Sequence, residues 1–184
     1  MKDVNEKIIE YYIKLAEKES KKKKIVFERK GNDLYFTDGS FVCKFDICRP
    51  FLFLELCSIF GTPTSEDFKK EYLPNIEKLV DTGFSVADAC KHELGKVNGY
   101  LTFTGMSTED KAIKRVLNVY TDKRGIYCFD NKYIKPLKNE CFRLVEISKR
   151  VCALYHFDDV DVYILPCVRN EILDSVVNIY NNAK

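Results

Sequence analysis

The 184-residue sequence predicts an α+β protein carrying two helix-flanked antiparallel β-meanders. Three observations carry this. Short alternating apolar runs, separated by Gly, Asn and Asp turns, occur in both halves, at 25–45 and at 115–137. Runs with helical three-to-four spacing flank them, first at residues 4–15. Finally, the chain echoes itself at an offset of 92, half its length. Leu34-Tyr35-Phe36-Thr37-Asp38-Gly39-Ser40-Phe41-Val42 falls on Ile126-Tyr127-Cys128-Phe129-Asp130-Asn131-Lys132-Tyr133-Ile134, and Leu73-Pro74 falls on Leu165-Pro166. Identities are few, among them Tyr35/Tyr127, Asp38/Asp130 and Leu52/Leu144, and the first helix has no counterpart after Gly95. Two readings stay open: a weak internal duplication, or two unrelated hairpins. The expectation is one compact domain over 1–184, with 1–92 and 93–184 as similar halves if the duplication is real.

Asp3 and Glu6 form a capping-box start to the first helix, whose buried face is Val4, Ile8, Ile9, Tyr12, Ile13 and Leu15. Lys21 to Lys24 suit its C-terminal end, where cations meet the helix dipole. Strands follow at 25–29, 34–37 and 40–45, with Asp38-Gly39 as the hairpin turn. Pro50 opens a helix to about Phe60, and Gly61 closes it. Ser65 caps a further helical segment that Pro74 interrupts and Gly83 stops; Ser85 with Asp88 starts another, ending at Gly95. In the second half the expectation is a strand at 100–104, a helical turn near 107, then strands at 115–121, 126–129 and 133–137. A helix over 140–155, a strand over 160–165 and a final helix over 168–180 complete the chain.

Composition narrows the function classes. With 46% hydrophobic and 32% charged residues the chain has the makings of an ordinary core, which excludes a wholly disordered protein. The longest apolar stretch, 51–60, is half the ~20 residues that a membrane span requires, and the N-terminus, with acids in its first turn and no apolar run, is unlike a signal peptide. Most of the eight cysteines lie inside apolar segments, as buried free thiols do. Together these place the protein in the cytoplasm, away from membranes. Net charge is +2, unevenly spread: residues 111–150 hold eleven Lys or Arg against four acids, leaving −5 for the remainder.

Few groupings point to chemistry. Cys90 and His92, with Cys152 and His156, have the composition of a tetrahedral zinc site, the second pair meeting if it lies on a helix. Cys-x-x-Cys knuckles are absent and eight scattered cysteines make such pairs common, so no metal and no cofactor is expected. Asp159 and Asp161 alternate as carboxylates do on strands that present magnesium to nucleotides. No Gly-Ser lies just upstream to hold a triphosphate, so the plainer reading is an acidic loop entering a strand. Neither a nucleophile elbow nor a phosphate-binding loop is present.

The remaining signal is basic. Between 119 and 133 cations and aromatics interleave, as on surfaces that touch phosphates and stack on bases. The candidate contacts are Lys111, Lys114, Arg115, Lys123, Arg124, Lys132, Lys135 and Lys138. The expected function is therefore a non-enzymatic binding protein that engages nucleic acid or a nucleoprotein complex. Small chains without catalytic motifs include accessory factors and inhibitors carried by phages and mobile elements, of anti-CRISPR type; no residue carries that step. The alternative is a metal-dependent enzyme acting on nucleotides or phosphodiesters through Asp159 and Asp161. A purely structural or oligomeric role is the third.

Overall fold

The computed structural model describes residues 3–91, 99–110, 114–137, 142–147, 150–167 and 178. It has the α+β class that the patterning predicts, with antiparallel sheets and few helices. The chain forms two compact units, residues 1–92 with 156–163, and residues 93–155 with 164–184.

In the first unit, helix α1 (Val4–Glu19) begins at the expected capping box: the Glu6 backbone N–H donates to the Asp3 carboxylate, and the Asp3 N–H donates in return to the Glu6 side chain. Strands β1 (Ile25–Lys30), β2 (Asp33–Thr37) and β3 (Phe41–Asp46) form the antiparallel meander read from the sequence. Helix α2 (Pro50–Phe60) starts on its proline and stops at Gly61, whose φ of 69° is left-handed.

The next stretch departs from expectation. Residues 65–83 hold no helix but a hairpin, β4 (Phe68–Leu73) and β5 (Lys78–Asp81), turning at 74–77. Phe68, Lys70 and Tyr72 alternate along β4, which adds to the open edge of β1. Backbone pairing with that edge outweighs the helical propensity of Lys69 to Glu71. A short helix, α3 (Val86–Ala89), follows its Ser85 cap. Strand β12 (Val160–Ile164) comes from far along the chain, giving the order β5-β4-β1-β2-β3-β12.

One face of this sheet is apolar. Phe27, Leu34, Phe36, Phe41 and Phe45 are buried there. Tyr12 of α1 lies 5.0 Å from Phe41, and Phe60 of α2 lies 4.6 Å from Phe27, centroid to centroid. Ring pairs of this kind each add about 0.5–1.5 kcal/mol beyond area burial. The expected ring-rich core is here.

The second unit begins with β6 (Gly99–Tyr100) and β7 (Thr102–Asp110), then β8 (Arg115–Thr121) and β9 (Ile126–Asp130). Strands β7, β8 and β9 make a three-stranded antiparallel meander. The helical turn expected near 107 is absent, because β7 runs on to Asp110 through a bulge at Gly105, φ 78°. The strand expected at 133–137 is replaced by helix α4 (Asn131–Ile134) and a turn. The helix expected over 140–155 gives way, among the described residues, to β10 (Phe142–Ile147) and β11 (Arg150–Phe157), paired antiparallel, with β6 on the outer side of β10. Residues 138–141, and the helix expected at 168–180 except Asn178, lie outside the described residues.

Tyr120, Phe129 and Phe142 are fully buried, and the Tyr120 ring meets Phe129 at 5.6 Å and Phe142 at 5.7 Å. On the opposite face of β8, Leu117 and Val119 pack with Cys128. Among the described residues no helix is long and apolar enough to cross a membrane.

Candidate functional site

The six basic candidates among the described residues do not form one patch. Lys123 and Arg124 occupy the turn between β8 and β9, and both are exposed. Asp122 shapes this turn: its carboxylate accepts from the backbone N–H of Arg124 at 2.8 Å and of Gly125 at 2.9 Å. The one acid of the turn is thus folded back onto the backbone, while the two cations stay exposed. Tyr127 stands beside it, half-buried. Its phenol is pushed above the ordinary value by burial and then by the Asp122 charge.

Lys114 and Arg115 lie at the other end of β8, about 20 Å away at ~3.3 Å per residue. Lys114 is exposed, with a left-handed φ of 49°. Arg115 turns inward, its Nε 3.4 Å from Asp110 and its Nη1 3.9 Å from Asp130. Both acids are buried, so Arg115 works as an internal counter-ion and offers little to a partner. Lys132 sits at this same end, where α4 follows Asp130, and its ammonium lies 4.6 Å over the Tyr133 ring. Lys135 follows, exposed. Lys111 and Lys138 lie outside the described residues. The interleaved aromatics go mostly inward: Tyr120 on β8, Phe129 on β9 and Tyr133 on α4 are all buried. Of the rings interleaved there, Tyr127 is the one left partly open for stacking.

The acids proposed for metal chemistry are held by cations of the protein. Arg49, at the start of α2, donates to Asp159 through Nε at 2.7 Å and Nη2 at 2.8 Å, and to Asp3 through Nη1 at 3.1 Å. Those hydrogen bonds keep the Asp159 carboxyl below the ordinary carboxylate range. Asp161 pairs with His156 Nδ1 at 2.5 Å and lies 3.7 Å from Lys44 Nζ. The zinc grouping also changes character. Cys152 and His156 lie on the extended strand β11, where i,i+4 residues do not meet as they would on a helix. His92 lies outside the described residues. Among the described residues no group of three or more His, Cys, Asp or Glu is placed to hold a metal ion.

What sequence reasoning missed is the polar face of the first sheet. Lys44 reaches Asp33 at 3.4 Å as well as Asp161, and the Tyr35 phenol donates to Asp33 at 3.4 Å. Burial, then the Asp33 charge, raises the Tyr35 phenol. Glu28, almost fully buried, accepts from Ser85 Oγ at 2.9 Å and from the Ala87 N–H at 2.9 Å, which pins α3 onto the sheet. Beside them burial pushes the Cys90 thiol up to about 12, so it is protonated and inert at neutral pH. The period-two alternation of β1 to β3 marks Glu28, Asp33, Tyr35 and Lys44 as sharing the second face, but their partners Ser85 and Asp161 are remote in sequence. In comparisons with known proteins, no family model and no curated protein matches the chain.

Proposed function

We propose that the chain is a non-enzymatic binding protein whose second unit engages nucleic acid, or the acidic surface of a nucleic-acid-handling protein. The observation that carries this is the β8–β9 turn, where Asp122 caps the backbone and Lys123 and Arg124 are adjacent and exposed. Charge supports it: the second unit holds 14 Lys and Arg against nine acids, whereas the first holds 16 against 19. A field of that sign attracts phosphate and speeds encounter with it. Lys114, Lys132 and Lys135 lie toward the far end of β8 and are the next candidates for contact. Cytoplasmic placement is part of the same reading, supported by the free state of the seven described cysteines. An accessory factor or inhibitor of a phage or mobile element, of anti-CRISPR type, is the setting proposed for it. Gel-shift titration with duplex and with single strands at low salt tests the nucleic-acid version. If neither shifts, these basic residues serve a protein partner, and capture from host lysate with mass spectrometry identifies it.

A further inference from the structure

Two cysteines of the second unit meet in a way that the binding function does not use. Cys128 lies mid-way along β9, the outer strand of the three-stranded sheet. After β12 the chain reaches that strand at Cys167, whose N–H donates to the Cys128 carbonyl at 2.7 Å. That bond sets the two cysteine backbones side by side, the adjacency a disulfide requires. Both side chains point into the same cluster with Leu117 and Val119. They differ in access: Cys128 is fully buried, Cys167 partly exposed. Arg115 Nη2 donates to the Cys167 sulfur at 2.9 Å, while Asp110 and Asp130 hold the rest of that guanidinium.

We propose that Cys167 and Cys128 form a dithiol that reacts with hydroperoxides, Cys167 as the attacking thiol and Cys128 as the resolving one. The Cys167 sulfur, accepting from Arg115, attacks a peroxide oxygen as its proton passes to the leaving oxygen. The O–O bond breaks, the alcohol or water leaves, and a sulfenic acid remains. The Cys128 sulfur then displaces the hydroxyl as water and forms the S–S bond, so two electrons pass from the two thiols to the peroxide. Burial, and then the neighbouring Cys167 sulfur, push the Cys128 thiol up to about 11, which suits a partner that stays silent until a sulfenic acid forms beside it. The product fastens Cys167 covalently to β9.

Cys48 provides an internal reference. It is exposed, but the Asp46 carboxylate raises its thiol through a hydrogen bond and its charge. The experiment treats the folded full-length chain with a few equivalents of hydrogen peroxide and maps non-reduced peptides by mass spectrometry. The expected result is a Cys128–Cys167 cross-link, two hydrogens lighter, formed before Cys48 is oxidised, and lost in Cys167→Ser. In Cys128→Ala, dimedone should trap a sulfenic acid at Cys167. Should that variant fail to fold, the order of oxidation in the unaltered chain decides. Oxidation of Cys48 first, with Cys128 and Cys167 still thiols, overturns the proposal, as does any other cysteine pairing.

Discussion

Arg49 and Asp159 are 110 residues apart, yet three hydrogen bonds tie Arg49 to Asp159 and Asp3 at the start of the two helices. The Arg49 bonds depress the Asp159 pKa in the fold. A carboxyl with a depressed folded pKa contributes stability that is complete above its unfolded value, near 3.9, and is lost as pH falls through the folded value. Asp159→Asn should therefore cost about 1 kcal/mol at pH 7 after solvent screening, and less at pH 2. Urea denaturation at both pH values measures it; an equal cost at both pH values would mean that the charge of Asp159 is not what matters. The Asp-x-Asp spacing was legible in the sequence. That its first carboxylate belongs to an arginine was not, because nothing near 159 in the chain points to 49.

Asp38 and Asp130, paired by the half-length echo, do the same local work and then part. The Asp38 carboxylate accepts from the N–H of Ser40 at 2.8 Å, and the Asp130 carboxylate from the N–H of Lys132 at 3.0 Å. Gly39 then takes φ 85° and the chain reverses into β3, whereas after Asp130 it winds into α4. The residue in the glycine's place is Asn131, which here stays right-handed. One position separates hairpin from helical turn, so the echo survives in β2 and β9 and fails beyond them. Gly39→Ala has open space for its methyl group, leaving backbone strain as the main cost, about 1–2 kcal/mol. A denaturation midpoint unchanged by that substitution would contradict the account of the turn. Elements with local punctuation, such as α1, α2 and the first meander, could be read from the sequence. Segments 65–83 and 140–155 could not, because their spacing is compatible with either period and strand partners decided between them.

At the scale of the molecule, the first unit depends on residues it does not hold in sequence. Val160 and Val162 of β12 are fully buried and belong with residues 1–92. A fragment ending at residue 92 should therefore be markedly less resistant to proteolysis than the full chain, and a fragment as resistant as the full chain would refute that dependence. Charge asymmetry between the units was legible in composition. The separation of the basic residues toward the two ends of β8 was not, since strand direction sets it. The most direct test of the central claim is the salt dependence of nucleic-acid binding by the full chain and by Lys123→Ala/Arg124→Ala. Binding should weaken linearly in log–log form, and the double variant should bind more weakly with a slope shallower by about 1–2. No binding at low salt, or the same affinity and slope in the variant, would contradict the assignment of the β8–β9 turn as a phosphate contact.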